Sequence, residues 1–242
     1  MAVPASTPPA DHFARLNGRR RAVRRFDALP VSDAALVDIC RQAQLAPSSR
    51  NSQPYRFLCV RSHPLKARIA LLCNDQAAAR TAAALVVVVA GAPLVAETLA
   101  AWDEHLAGDC GLDPRSVAHH RAELKRSRAF LRIGGWPIWS VVVGILALLH
   151  PAASLLPVGR MGVRHWTARS ALYAAQTFLL AASAYGLDTC PMEGFVAAKV
   201  ARALRLPRDL TIPLIIAIGH AAADARLEPR WRKPLELAVE LL

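Results

Sequence analysis

The residues of this chain that could do chemistry fall into four short segments, far apart in sequence. The first is Arg20-Arg21-Ala22-Val23-Arg24-Arg25-Phe26, a row of guanidinium groups. The second is Pro47-Ser48-Ser49-Arg50-Asn51-Ser52-Gln53-Pro54-Tyr55, where hydroxyls and amides in a loop could hydrogen-bond a heterocycle. The third is Gly186-Leu187-Asp188-Thr189-Cys190-Pro191-Met192-Glu193-Gly194-Phe195, in which Gly194 would let the backbone approach a ligand closely. The fourth is Pro229-Arg230-Trp231-Arg232-Lys233-Pro234, with two arginines placed to grip one phosphate together. Each segment alone has an ordinary reading: a short basic run is usually a solvated face, and a polar loop is usually a turn. Together they offer cations, amides and close backbone approach, the parts needed by a ligand with a phosphate, a polar edge and a flat ring.

These segments need elements to position them. Ser32 is a suitable N-cap for a helix from Asp33 to about Ala46, with Leu36, Ile39, Cys40 and Ala43 on one face. The polar loop then leads into a strand over Tyr55–Arg61, followed by a helix over Pro64–Asn74. Leu85–Ala90 is a continuous apolar run suited to a buried central strand. Ala101–Arg132 reads as helix interrupted near Gly108–Pro114, and Thr167–Tyr185 as helix capped by Gly186. Leu187–Phe195 is a short strand and loop, Val196–Leu204 a short helix, and Ile212–Gly219 a strongly apolar strand. Asp11–Gly18 forms a short helix after a Pro/Ala-rich flexible arm at Met1–Ala10. Strands and helices mix without regular alternation, which predicts an α+β fold. The expected organisation is an arm and short helix at 1–18, then a single domain at 19–242 with an apolar excursion at about 133–159.

At 242 residues the chain can bury a sizeable core. Its hydrophobic fraction is 54% but aromatics are only 6%, so the interior is built mainly of Ala, Leu and Val. A net charge of +12 favours anionic partners without choosing among phosphates, nucleic acid and acidic lipid. Arg outnumbers Lys, and its planar fork suits phosphate better than solubility alone requires. The cysteines (Cys40, Cys59, Cys73, Cys110, Cys190) are odd in number and lack C-x-x-C spacing, which points to no zinc site, no disulfide framework and a cytoplasmic setting. His119-His120 lacks carboxylate neighbours at ligand spacing and reads as surface, so no metal is expected.

The four segments resemble, in order, the motifs of the nitroreductase family: basic-x-Ser-x-basic-x-Phe, Pro-Ser-x-x-Asn-x-Gln-Pro-aromatic, and Gly-Leu-x-x-x-Pro-x-Glu-Gly-Phe, with the C-terminal arginines following. The resemblance spans Arg20 to Pro234. It implies a central, mostly antiparallel sheet flanked by helices, in an intertwined homodimer whose two chains build each FMN site. It implies NAD(P)H as hydride donor and ping-pong reduction of a small electron-poor acceptor such as a nitroaromatic or quinone. Arg20, Arg21 and the Ala22 backbone would hold the FMN phosphate, with Arg230 and Arg232 reaching it from the C-terminal segment. Arg24 would lie near the pyrimidine and stabilise the charge that develops on reduction. Pro47, Ser48, Ser49, Asn51 and Gln53 would line the ring and its polar edge, and Gln76 or Asn74 would meet the pyrimidine. Pro191, Met192, Glu193 and Gly194 would cover the opposite ring face, with a backbone N–H near Glu193–Gly194 donating to the reactive flavin nitrogen. No catalytic side chain is required, because the flavin carries the chemistry.

The chain departs from the family pattern in three places. Ala22 replaces the usual hydroxyl residue. Arg50 stands on the substrate side where a smaller residue is usual, favouring anionic acceptors or else turning to solvent. Ile133–Gly159 is uncharged and cut by Pro137, Pro151 and Pro157, too short in its longest uninterrupted piece to span a membrane easily. It is either a helix buried in the dimer or over the flavin, or an interfacial segment. In the second case Trp136, Trp139 and Trp166, with flanking arginines, would give peripheral contact with an anionic membrane and access to a lipid-like or quinone acceptor. Two other functions remain open: a flavin-binding sensor or scaffold without turnover, and a basic protein binding nucleic acid or a membrane surface. The nucleic-acid reading leaves the Asn51/Gln53 and Glu193-Gly194 loops unused, so no nucleic-acid partner is expected.

Overall fold

A computed structural model describes residues 8–242 of the chain. Most of the arm expected at 1–10 lies outside the described residues. Its last two residues already belong to helix α1 (Pro9–Arg19), which has Pro in its first turn. Helix α2 (Asp33–Ala43) starts as expected, with the Ser32 hydroxyl accepting from the Ala35 amide.

Four strands, β1 (Tyr55–Val60), β2 (Ala84–Ala90), β3 (Asp188–Met192) and β4 (Thr211–Gly219), form one sheet in the order β1-β2-β4-β3. Every neighbouring pair is antiparallel. The fold is α+β. The apolar run in β2 is buried along its whole length because helices cover both faces of the sheet. Period-two alternation sends Ala84, Val86, Val88 and Ala90 toward α2 and the long helix α8 (Gly159–Ala184). Leu85, Val87 and Val89 face the second layer: α3 (His63–Leu72), α4 (Ala77–Thr81) and α9 (Ala197–Ala203). Phe178 of α8 is fully buried against Phe57 of β1, their rings stacked at 5.5 Å. Such burial contributes roughly 1.5–3 kcal/mol.

Several elements begin earlier than their sequence patterns predict. Helix α5 (Ala92–Ala107) starts nine residues before Ala101, because the apolar run of β2 continues into it without a polar break. Helix α8 starts at Gly159, where Arg160, Arg164 and His165 interrupt the apolar spacing that becomes clear only from Thr167. Its buried face is mostly Ala, Ser, Gly and Thr, small residues that allow close packing. Gly186 has φ of +79° and follows the helix end as expected.

Within 133–159, helix α6 (Pro114–Gly134) ends and α7 (Pro137–Leu149) turns away from it by 78°. No single helix among the described residues is long and apolar enough to cross a membrane; α6 and α7 pass only as a bent pair. Trp139, Val142, Val143 and Ala147 are the half-buried positions of α7, on the side toward α8, while Ile138, Val141, Ile145, Leu148 and Leu149 stay exposed. The three tryptophans that the interfacial alternative would use do not share one exposed face. Trp166 packs inward beside Val95 and Leu99, edge-on to Phe130.

Candidate functional site

The basic segment runs along the outer edge of β3. Val23 N donates to Thr189 O at 3.0 Å, and Ala22 pairs with Thr189 in the parallel sense. Val23 and Phe26 are buried, so the segment is anchored by its apolar residues, while Arg24 and Arg25 stay exposed. The C-terminal segment is tied across it. Arg230 donates to the carbonyls of Gly18 and Arg20, both at 2.8 Å, and to that of Asn17 at 3.3 Å. Arg21 donates to the Glu228 carbonyl.

The result is a cluster of like charges. Burial, and then the charges of Arg230, Arg232 and Arg21, hold the Arg20 guanidinium below its ordinary pKa. Mutually repelling arginines, none of them in an ion pair among the described residues (Glu228 is paired with Arg226), form a site that an anion stabilises. Arg25, by contrast, is paired with Asp224 at 3.0 Å. Arg24 lies close enough to β3 for its charge to oppose the upward push of burial on the Cys190 thiol.

Beside this cluster the structure joins two segments that sequence separates by more than a hundred residues. Gln76 Nε2 and Asn74 Nδ2 both donate to the Gly194 carbonyl, at 2.9 and 3.3 Å. Asn74 and Asp75 have φ of 55° and 50°, a left-handed pair that swings the chain from α3 toward α4. Val196 N donates to Leu72 O at 2.9 Å and fastens the far end of the loop. Pro191, Glu193 and Gly194 are exposed. Met192 is not: the residue is only 3% exposed and packs within the core. Both amides considered for the pyrimidine edge are thus already engaged in holding the loop.

The polar loop Pro47–Pro54 is a separate structure. Arg50, Asn51 and Gln53 all have positive φ (54°, 50° and 38°), so the loop folds back on itself around a 3-10 turn at Ser49–Asn51. The Ser48 hydroxyl accepts from Gln53 N at 3.0 Å, and Gln53 Nε2 donates to Asn51 Oδ1 at 3.2 Å. Pro54 O accepts from Gly91 N at 3.0 Å, locking the loop to the end of β2. Ser49 and Asn51 remain exposed. Arg50 lines two neighbouring cavities between this loop and α6. Sequence reasoning did not single out Ser52. It is 3% exposed and its hydroxyl has no hydrogen-bond partner. Nothing in its sequence neighbourhood distinguishes it from Ser48 or Ser49.

The two halves do not meet within one chain. The loop feeds β1 and the Glu193–Gly194 segment follows β3, and these are opposite edges of the sheet. Three strand spacings separate them, about 14 Å. A larger cavity of about 350 Å³, bordered by Gly91, Arg160, Arg164 and Asp209, belongs to neither half. His119 and His120 meet edge-to-face with ring centroids 5.6 Å apart, and the ring of His120 lies 5.5 Å from that of Trp102. Among the described residues no group of three or more His, Cys, Asp or Glu is placed to hold a metal ion.

The family model described as "Nitroreductase family" matches residues 18–220. Protein DrgA of Synechocystis sp. is 31% identical over 89% of this chain and 87% of its own length. A protein named NADH dehydrogenase from Thermus thermophilus is 28% identical over 91% of each chain. Among solved structures, one from Exiguobacterium sibiricum, described as a nitroreductase in complex with FMN, superposes with a TM-score of 0.74 at 22% identity and full coverage of both chains. The extent of the family match and the identity to a relative across most of both lengths leave one assignment: this chain belongs to the nitroreductase family.

Proposed function

We propose that the chain is an FMN-dependent NAD(P)H oxidoreductase that acts as a homodimer and reduces a small electron-poor molecule, a nitroaromatic or a quinone. The observation that carries this reading is the convergence of Arg20, Arg21, Arg230 and Arg232, which no carboxylate neutralises. The donor set fits a phosphate: paired planar guanidinium groups, one of them partly desolvated. FMN held by these residues would supply the redox chemistry that links NAD(P)H oxidation to reduction of the acceptor.

The protein's part is positioning. Arg20, Arg21 and the Ala22 backbone take the phosphate from one side, and Arg230 and Arg232 take it from the other. Arg24 places a cation toward the ring's polar edge. Gln76 and Asn74 hold the Gly194 loop in place, so that Pro191, Glu193 and Gly194 present backbone to the flavin. The loop carrying Pro47, Ser48, Ser49, Asn51 and Gln53 then serves the flavin held by the other copy. Two observations favour the dimer. The site halves lie on opposite sheet edges, and the C-terminal tail exposes Leu235, Leu237, Val239 and Leu241. Residues 19–242 act as one FMN-binding unit in this reading.

The test is the visible spectrum of the purified protein, followed by anaerobic NADPH or NADH. A yellow protein that bleaches, releases FMN on denaturation and recolours with a quinone or nitroarene supports the proposal. A protein that gains no flavin band from excess FMN refutes it. A second reading, peripheral membrane contact through 133–159, rests on the exposed apolar stripe of α7. Co-sedimentation with anionic vesicles would support it, and a dimer that stays in the supernatant would exclude it.

A further inference from the structure

Two cavities lie side by side between the 47–54 loop and helix α6. One, of about 170 Å³, has walls that include Val95, Phe130, Leu131 and Trp166. The other, of about 320 Å³, is bordered by Trp102, His119 and Glu123. Arg50, Leu99 and Ser127 line both, so the two form one cleft with Arg50 at its middle.

Three observations make this cleft a ligand site rather than a packing gap. Ser52 is among the residues lining the smaller cavity, and its hydroxyl is buried with no hydrogen-bond partner among the described residues. A buried polar group is ordinarily satisfied, and leaving it unpaired costs roughly 1–3 kcal/mol. The Trp102 indole N–H, beside the larger cavity, is likewise buried and unpartnered. Arg50 makes no salt bridge or hydrogen bond among the described residues; the nearby Glu123 is already paired with Arg126 at 2.5 Å. Among the described residues the cleft therefore holds an arginine outside any ion pair, with the Glu123 carboxylate near enough to feel its charge, together with unpaired hydroxyl and indole groups and aromatic walls. An apolar cavity of about 150 Å³ holds a benzene ring, so the smaller cavity matches a single aromatic ring.

We infer that this cleft seats the electron acceptor and selects single-ring aromatic acids, with Arg50 facing the acid group and Ser52 hydrogen-bonding a polar ring substituent. The inference rests on the flavin reading above and sharpens its acceptor class from electron-poor aromatics in general to anionic ones. The proximity of the cleft to the ring-lining loop is what couples the two: Ser49 and Arg50 belong to that loop and to the cleft wall. With a nitrobenzoate as acceptor, each cycle transfers one hydride from NAD(P)H and one proton, converting the nitro group to nitroso with release of one water.

The experiment compares 4-nitrobenzoate with its neutral isostere 4-nitrobenzamide as acceptors for the FMN-loaded protein. Calorimetric titration with benzoate and benzamide runs in parallel. We expect kcat/KM and affinity to favour the acid by roughly tenfold or more, the usual scale of a charge-assisted contact. Arg50→Gln should erase that preference and Arg50→Lys restore part of it. Ser52→Ala should weaken 4-nitrobenzoate and 4-nitrobenzamide without changing their ratio, and leave benzoate and benzamide unaffected. Equal binding of acid and amide, or a preference that survives Arg50→Gln, overturns the inference. FMN content, read separately from the visible absorbance, distinguishes the two levels. A flavin-loaded protein without acid preference sinks only this inference. A protein that takes up no flavin sinks the acceptor role with the reading it rests on.

Discussion

The guanidinium of Arg230 donates to the main-chain carbonyl of Arg20 at 2.8 Å, so the C-terminal segment is pinned onto the basic run by the arginine that also crowds it. Arg230 therefore has a structural role and an electrostatic one, whereas Arg232 bonds, among the described residues, only the neighbouring Trp231 carbonyl at 2.8 Å. The two roles predict opposite behaviour. Arg232→Gln should leave the melting temperature of the FMN-free protein unchanged or slightly raised, because it removes a repelling charge. The same variant should weaken FMN binding by about 10–100-fold, the value of one charged hydrogen bond. Arg230→Gln should lower both stability and affinity. Thermal melts and FMN titrations of the two variants check this, and a matched loss of stability in both would refute the distinction.

Gln76 and Asn74 share one acceptor, the Gly194 carbonyl, at 2.9 and 3.3 Å. Either amide alone can satisfy that oxygen. Gln76→Ala and Asn74→Gly should each cost little stability, with glycine keeping the left-handed backbone that Asn74 adopts. The double variant should lose more than the sum by about 0.5–1 kcal/mol, since only then is the carbonyl unpaired. A double-mutant cycle on thermal stability gives the coupling directly, and additive losses would show that the shared contact does not hold the loop.

The parts of the structure legible in the sequence were those with strong one-dimensional patterns. The β2 run, the Ser32 cap and the Gly186 stop each announce themselves locally. Helix α4 carries no readable pattern, because three alanines, Arg80 and Thr81 over five residues are too short a run to show a period. The starts of α5 and α8 were misjudged where apolar strand merged into apolar helix, or arginines masked the periodicity. In the site, the four arginines were readable as a set because charge is visible in sequence. The engagement of Gln76 with Gly194, the burial of Met192 and the orphaned Ser52 hydroxyl were not. Each depends on what tertiary packing places opposite a residue, which spacing along the chain does not encode.

Gly162 lies in the first turns of α8, where the chain returning from α7 crosses it. A Cβ at Gly162 would sit 2.1 Å from the Leu156 carbonyl oxygen, a backbone atom that cannot rotate aside. Gly162→Ala should cost about 1–3 kcal/mol, a fall in Tm of roughly 2–10 °C for a chain of this size. Gly18 is the control: it lies within α1, and a Cβ there meets nothing within 4 Å. Gly18→Ala should therefore be neutral or stabilising by about 0.5–1 kcal/mol. Equal melting temperatures for the two variants would show that the crossing yields more readily than its geometry implies.

Cys59 and Cys40 form a thiol pair across the packing of β1 against α2. Cys59 is exposed on the edge strand, and a hydrogen bond from Cys40 lowers its pKa, with burial and Asp33 acting against that and Arg61 adding to it. Cys40, the donor, is pushed up. Cys73 is buried in the core and pushed up by desolvation to about 11. A lowered pKa means more thiolate at a given pH, and the thiolate is the nucleophile. Alkylation by iodoacetamide should therefore mark Cys59 first as pH rises, ahead of both Cys40 and Cys73. Replacing the donor, Cys40→Ala, should move the Cys59 labelling profile to higher pH, toward that of an ordinary thiol near 8.5. Site-resolved mass spectrometry across a pH series reads both effects. A Cys59 profile that does not move in Cys40→Ala would show that Arg61, rather than the neighbouring thiol, sets its reactivity.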